Sequence, residues 1–182
     1  MQEISLHVLD IVQNSVVANA SLIEITINEN KQYDVLDITI KDNGKGMDKE
    51  KVKKVLDPFF TTRTTRSVGL GIPMYREAAL STGGDFKIES ELGVGTSVFA
   101  RFGYSHIDRQ PLGNMSEAMF ILVTCNPNID FVYKHFVDKE SFVMDTREIK
   151  KILDGVSVQD VQVSAWLKEY IYEGITNLYG GV

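Results

Sequence analysis

Three glycine-rich turns, each at the end of a predicted helix or strand, limit most strongly how this chain can fold. They are Asp42-Asn43-Gly44-Lys45-Gly46-Met47, Gly69-Leu70-Gly71 and Gly93-Val94-Gly95-Thr96. One glycine cluster alone indicates only a tight turn with positive φ. Here the first turn follows a predicted strand, the second leads into a helix and the third precedes a final strand. Their order favours a common site over three unrelated bends.

The hydrophobic pattern around the turns alternates between helix and strand. Helical spacing of apolar residues and period-two alternation predict three helices, over 3–19, 49–56 and 72–81, and four strands, over 22–27, 35–41, 86–90 and 96–102. A polar loop is predicted over 61–67. Elements in this order predict an α/β fold. We expect a two-layer α/β sandwich, in which helices cover one face of a mixed, mostly antiparallel sheet.

The sequence beyond residue 103 has a different pattern of predicted elements. Pro111 and Gly113 mark a connector, so we predict a boundary near 104–116 that separates a domain of residues 1–103 from a small α+β region of residues 104–182. Within that region, Met119–Thr124 and Phe131–Val137 are predicted as strands. Asp145 and Glu148 have capping-box spacing ahead of one helix, and an apolar stripe over 163–178 predicts another.

Composition excludes several classes of function. A formal net charge of -6 argues against a nucleic-acid-binding face, and no apolar run approaches the roughly 20 residues that cross a bilayer. The single cysteine, Cys125, cannot form an internal disulfide, and no leader opens the chain. We therefore expect a cytoplasmic protein with neither nucleic acid nor membrane as a partner.

The turns and the first helix carry side chains suited to a nucleotide. Around Gly69-Leu70-Gly71, phosphate oxygens could approach backbone N–H groups at the positive end of a helix. Asp42 would repel phosphate but can accept a hydrogen bond from an exocyclic amine, so it suits the base end. Asp10 and Asn14 share one face of the first helix with His7, where an amide suits magnesium and a carboxylate could orient a nucleophile. The alternative for that face is ordinary solvation.

Four segments in order carry a family resemblance. They are Asp10-Ile-Val-Gln-Asn14-Ser-Val-Val-Ala18-Asn-Ala20, Asp42 to Met47, Asp57-Pro58-Phe59-Phe60-Thr61-Thr62 with Gly69-Leu70-Gly71 behind it, and Gly93-Val94-Gly95-Thr96. Together they resemble the ATP-binding (GHKL) domain of DNA gyrase, the ninety-kilodalton heat-shock chaperone, histidine kinases and mismatch-repair ATPases. Histidine-kinase-like ATPase domains are the nearest in character.

The resemblance implies a role for each matching residue. It implies Asn14 on Mg²⁺, Asp42 on the adenine amino group, and Thr96 in support of Asp42. It also implies Gly44, Gly46 and Met47 around the base and sugar, Phe59 and Thr62 ahead of an ATP lid, Arg63 or Arg66 on the terminal phosphate, and Gly69, Leu70 and Gly71 along the phosphates. Asp10 would be the catalytic carboxylate, and ATP with Mg²⁺ would be the ligand.

Two positions depart from the family pattern. The family usually has Glu where this chain has Asp10, and the shorter carboxylate supports nucleotide binding better than turnover. Val17 stands where the gyrase and mismatch-repair branch has Asp.

A phosphoacceptor histidine is not expected in this sequence. The first helix begins too early for a preceding phosphoacceptor helix, and neither His106 nor His135 has a predicted context that suits a phosphoacceptor. The resemblance therefore predicts a stand-alone domain.

Three hypotheses remain open from the sequence. In the first, the protein is a kinase or ATPase in signalling that passes the terminal phosphate to a protein or to water. In the second, it is a module in which ATP orders the lid over 61–68 and thereby controls a partner interaction without turnover. In the third, the glycine turns only shape a core.

Residues 104–182 are predicted to dock a protein partner. The oligomeric state is left open, and a homodimer is one possibility.

Overall fold

A computed structural model describes residues 3–59 and 70–181 of the chain. Six helices and six strands are defined within those ranges. They are α1 (Ile4–Val17), β1 (Leu22–Asn30), β2 (Val35–Asp42), α2 (Lys49–Val55), α3 (Gly71–Leu80), β3 (Asp85–Glu91), β4 (Gly95–Gly103), α4 (Met115–Cys125), β5 (Asp130–Val137), β6 (Glu140–Asp145), α5 (Thr146–Leu153) and α6 (Val161–Asn177).

The strands form one mixed sheet in the order β3-β4-β2-β1-β5-β6. β1 pairs with β5 in parallel, and the other four strand pairs are antiparallel. This confirms the predicted α/β fold with a mostly antiparallel sheet. The sheet has two more strands than the four predicted before residue 103, because β5 and β6 extend it beyond β1.

Alternate side chains of the central strands face the helices. Ile23, Ile25 and Ile27 of β1 are fully buried, whereas the residues between them are half-buried. β2 follows the same alternation. Burying such a side chain stabilises the fold by about 1.5–3 kcal/mol relative to leaving it in water. The period-two pattern in the sequence therefore fixes which face of the sheet carries the core.

Helices form the second layer of the sandwich. α1 packs against β2 and between α3 and α4, α3 also packs on β3 and β4, and α6 packs on α4 and β6. One continuous hydrophobic cluster includes residues from both sides of residue 103. The division into a domain of residues 1–103 and a separate region of residues 104–182 stays a prediction, and the sheet and core run across it.

The connector before α4 caps the first helix. The backbone N–H groups of Ile4 and Ser5 donate to the carbonyl oxygens of Pro111 and Leu112, at 2.9 and 2.8 Å. These bonds satisfy N–H groups that a helix leaves unpaired at its start, and the residue before the helix, Glu3, makes no side-chain capping bond. The connector thereby places the start of α1.

Two sequence-based expectations are wrong. Met119–Thr124 was expected in a strand but lies in α4, which begins after Asn114, whose side chain accepts a hydrogen bond from the N–H of Glu117. His7 was expected on the wet face of α1 but is buried: its Nε2 bonds Gln110 at 3.0 Å and its ring packs against Tyr75. Burial lowers the pKa of His7 below 6.5.

A buried polar cluster joins β1, β5 and the C-terminus. Glu29 accepts hydrogen bonds from Nε2 of His135, at 2.8 Å, and from the hydroxyl of Tyr179. Nδ1 of His135 lies 2.8 Å from the hydroxyl of Tyr133. Because a carboxylate only accepts, Nε2 carries a proton toward Glu29, and Nδ1 faces the hydroxyl of Tyr133. Both nitrogens of His135 are thus engaged inside the protein.

Among the residues described, no helix has both the length and the apolar character to cross a membrane.

Candidate functional site

A cavity of about 720 Å³ lies between α1, α2, α3 and the part of the sheet formed by β2 and β4. Its volume is in the range of small-molecule sites. Its apolar wall includes Ile40, Ile72 and Val98. Its polar wall includes Asp10, Gln13, Asn14, Ser15, Asp42, Lys45, Asp48, Glu50, Lys51, Lys54 and Thr96.

Asp42 is the buried carboxylate of the cavity. It is the last residue of β2 and only 9% exposed. One carboxylate oxygen, Oδ1, accepts the backbone N–H of Gly44 at 2.9 Å, and the other, Oδ2, accepts the hydroxyl of Ser15 at 2.6 Å. The turn after β2 and the last turn of α1 therefore fix the orientation of this carboxylate from two sides.

Thr96 lies directly beside Asp42. The two residues are partners in the antiparallel register of β2 and β4. The hydroxyl of Thr96 is 2.8 Å from the hydroxyl of Ser90 on β3, which also accepts the backbone N–H of Met47 at 2.8 Å. The first and third glycine-rich turns thus meet at one end of the cavity.

The glycines of these turns allow close contact between backbones. Gly46 has φ +68°, and a β-carbon at this position would lie 1.9 Å from the carbonyl oxygen of Glu91. A β-carbon on Gly44 would lie 2.8 Å from the β-carbon of Ala18. No larger residue fits without displacing backbone, so these glycines bring β2, β3 and α1 together around Asp42.

Asp10 and Asn14 also line the cavity. Both are exposed on α1, one turn apart. Gly71 begins α3, and a β-carbon there would lie 3.2 Å from Oδ2 of Asp10. The Asp10 carboxylate therefore lies beside a helix N-terminus, whose N–H groups and dipole favour anions. The amide of Asn14 is next to it on the cavity wall.

Most of the predicted site residues with described positions line this one cavity. Those on its wall are Asp10, Asn14, Asp42, Gly46, Met47, Gly71 and Thr96. Three others are not among its wall residues. They are Gly44, which packs against Ala18, Leu70, which precedes α3, and Phe59, which is 93% exposed. Thr62, Arg63, Arg66 and Gly69 lie outside the described residues. Their predicted roles stay predictions.

Sequence reasoning missed two groups of wall residues. Ser15 has the helical spacing of the apolar residues of α1 and is buried with them. A hydroxyl at such a position is itself a signal, because buried polar groups need partners. The cationic side chains of Lys45, Lys51 and Lys54 were also overlooked. The lysine-rich sequence of α2 supplies the last two.

The donor set of the cavity suits a nucleoside triphosphate. The carboxylate of Asp42 and the hydroxyl of Thr96 match an exocyclic amine. The lysines of the wall and the N-terminus of α3 at Gly71 match phosphates. Asn14 offers the oxygen that Mg²⁺ takes when it keeps most of its water and binds phosphate as well. The residues of the cavity wall therefore fit ATP with Mg²⁺.

Comparison with known proteins identifies the family. Residues 2–105 match the family model of histidine kinase-, DNA gyrase B- and HSP90-like ATPases. Because this match covers more than half of the chain, the protein belongs to that family. Membership confirms the resemblance and supports ATP binding.

Curated relatives are similar over part of the chain. The chain is 36% identical over 91 residues to sporulation kinase C of Bacillus subtilis, which covers 50% of this chain and 21% of that protein. It is 33% identical over 81 residues to the sensor histidine kinase WalK of the same organism, covering 42% of this chain and 13% of that one. This chain thus spans only a small part of the length of these relatives.

Solved structures extend the similarity beyond the family match. The MutL ATPase domain of Aquifex aeolicus, complexed with ADP, aligns with a TM-score of 0.52 and 18% identity over 85% of this chain and 70% of that one. The N-terminal domain of a DNA repair protein aligns with a TM-score of 0.57 and 18% identity over 80% of this chain and 53% of that one. At this identity the similarity concerns the fold.

Proposed function

We propose that this protein binds ATP with Mg²⁺ in the cavity described above and acts as a protein kinase or ATPase in signalling. The observation that carries the proposal is that Asp42 and Asp10 line a single cavity, with Asp10 beside Gly71. Ser15, which bonds Asp42, follows Asp10 by five residues on α1, a rise of about 7 Å along the helix. An acceptor for the adenine amine and a site for anions are thereby separated along one binding path.

The proposal assigns roles to the predicted site residues. Asp42 and Thr96 bind the adenine, Gly46 and Met47 line the base and sugar, and Gly71 with Leu70 binds phosphates at the start of α3. Asn14 holds Mg²⁺, which neutralises phosphate charge. Arg63 or Arg66 contacts the terminal phosphate. Asp10 orients or deprotonates the group that attacks the terminal phosphate.

Calorimetric titration tests the binding step. Purified protein is titrated with ATP and with ADP, each with and without Mg²⁺. We expect saturable binding of both nucleotides, with Mg²⁺ strengthening the binding of ATP. An absence of binding to either nucleotide, at protein concentrations where the fold is intact by circular dichroism, would overturn the proposal.

The second candidate function is an ATP-gated module without turnover. It is favoured by the aspartate at position 10, because the side chain is one methylene shorter than the family's usual glutamate. In this function ATP orders the lid over 61–68 and controls a partner interaction.

Turnover separates the two candidates. Phosphate release and phosphotransfer are measured for the wild type and for Asp10→Asn. Turnover by the wild type that Asp10→Asn abolishes, with ATP affinity kept, supports the enzyme. Binding without turnover, with and without a partner present, supports the module.

We place the protein-partner contact on residues 104–182, where α6 exposes Trp166 and Tyr172 at 48% and 58%. The same surface is a candidate contact between two copies of the chain. Sedimentation with and without ATP distinguishes a monomer from a homodimer, and a shift toward the dimer on adding ATP would connect the site to assembly.

We further propose a cytoplasmic setting, without nucleic acid or membrane as a partner.

A further inference from the structure

The two oxygens of Asp42 are both oriented by groups of the protein. Its Oδ2 accepts the hydroxyl of Ser15, which is 3% exposed, at 2.6 Å, and its Oδ1 accepts the N–H of Gly44. The single proton of Ser15 is therefore committed to Asp42, because a carboxylate has no proton to give. What Asp42 presents to the cavity is its remaining acceptor capacity.

Ser90 fixes the proton of Thr96 in the same way. Three groups contact the hydroxyl of Ser90: the N–H of Met47 at 2.8 Å, the carbonyl of Gly95 at 3.0 Å and the hydroxyl of Thr96 at 2.8 Å. The N–H can only donate and the carbonyl can only accept. Ser90 must then give its one proton to Gly95, so the assignment that satisfies all three contacts has Thr96 donating to Ser90.

Asp42 and Thr96 consequently offer only acceptors to the cavity. With the Thr96 proton directed to Ser90, the lone pairs of Thr96 are available beside those of Asp42, its partner in the β2–β4 register. A 6-amino purine supplies the donor that such a pair needs. A 6-oxo purine would place an acceptor against acceptors.

We propose that Ser15 and Ser90 are positioning residues that fix the proton arrangement of Asp42 and Thr96 and thereby select 6-amino over 6-oxo purine nucleotides. This inference rests on the proposed function, since it assumes that the base lies at Asp42. Neither serine needs to contact the nucleotide, because each acts through the acceptor that it holds.

The test compares nucleotides that differ at position 6. Affinities are measured by calorimetry for ATP, for inosine triphosphate and for purine riboside triphosphate, which lacks a substituent there. For the wild type we expect ATP to bind about 10-fold or more tightly than the other two, as one charge-assisted hydrogen bond allows. Ser15→Ala should weaken ATP roughly 5- to 10-fold and purine riboside triphosphate less than about 2-fold.

Ser90→Ala should narrow the preference for ATP over inosine triphosphate by about 10-fold, because Thr96 becomes free to donate into the cavity. Ser15→Thr keeps a hydroxyl and should keep the preference for ATP. Ser97→Ala is the matched control, since Ser97 follows Thr96 on β4 and is not a described wall residue of the cavity. It should leave all three affinities unchanged.

Circular dichroism confirms the fold of each variant, and Ser90→Ala and Ser15→Thr carry the test if Ser15→Ala does not fold. Equal weakening of all three nucleotides by the serine variants, or an unchanged preference, would overturn the inference while leaving ATP binding in place. Failure of the wild type to bind ATP would instead overturn the proposed function.

Discussion

Asp42 is the residue on which base recognition depends most in the proposed site. It is buried, yet both of its oxygens have hydrogen-bond partners, so its burial leaves no unsatisfied group. The surrounding turn does not need its full negative charge, because Gly44 needs one acceptor and Ser15 can reverse its own hydroxyl. Function and stability can therefore be separated at this position.

Asp42→Asn is expected to weaken ATP by about 10- to 100-fold, because the amide removes one acceptor and the charge at the adenine amine. The free energy of unfolding should fall by roughly 1 kcal/mol or less, since Ser15 can accept from the new amide. Calorimetry and urea unfolding measure the two quantities. Asp37→Asn, on the same strand but paired with Arg101, is the control and should leave ATP affinity unchanged. Unchanged affinity in Asp42→Asn would remove Asp42 from the site.

At the scale of elements, the turn after β2 is held against the β3–β4 hairpin. The N–H of Gly93 donates to the carbonyl of Lys45 at 2.8 Å, and the N–H of Met47 donates to Ser90. Gly46 passes so close to Glu91 that a β-carbon would overlap its carbonyl. The position of the turn is thus set by backbone packing before any ligand binds.

Gly46→Ala is expected to lower the free energy of unfolding by about 2–4 kcal/mol, from a left-handed φ and a steric clash with Glu91. Gly93→Ala is the matched control. Gly93 has φ +76°, but nothing lies within 4 Å of its added β-carbon, so only about 1 kcal/mol of backbone strain is expected. Urea unfolding curves compare the two, and equal losses would show that the close approach of Gly46 contributes nothing.

Elements with clear periodicity could be predicted from the sequence, and those fixed by distant contacts could not. The strand at β2 and the helix after Asp145 follow from local pattern and capping. α4 was missed because Phe120, Ile121 and Val123 resemble a buried strand, although Asn114 and Glu117 have capping spacing. β6 was also missed. Its place depends on β5, which local sequence cannot reveal.

The candidate site divides in the same way. Asp42, Gly46 and Asn14 could be found because the family motifs include them. The hydroxyl of Ser15 is a signal that a partner is needed, but the partner could not be identified, since Asp42 lies 27 positions away and the spacing of Ser15 matches the apolar stripe of α1. His7 was misplaced for a similar reason, because Gln110, which bonds it, is 103 positions away.

At the scale of the whole molecule, the cluster around Glu29 joins the C-terminus to the middle of the sheet. Burial alone would raise the pKa of Glu29, but hydrogen bonds from His135 and Tyr179 outweigh it and hold the pKa below 4.5. A carboxyl with a lower pKa in the folded chain stabilises the fold above its unfolded pKa. That contribution is lost as pH falls through the folded pKa.

We therefore expect the free energy of unfolding to fall as pH drops below 4.5, and Glu29→Gln to lack this part of the fall. Urea unfolding at several pH values between about 7 and 3 measures both slopes. Glu148→Gln, which alters an exposed carboxyl paired with Lys151, serves as the control and should keep the wild-type slope. Identical slopes for Glu29→Gln and the wild type would contradict the assignment.

The parallel pairing of β1 with β5 also has a consequence for synthesis. Glu29 and His135, which this pairing brings together, are 106 positions apart, so closing the intervening loop makes this a late step of folding. Until β5 leaves the ribosome, β1 has an uncovered edge that can pair with other nascent chains. Slow translation between β4 and β5 would prolong that exposure and lower the yield of native protein.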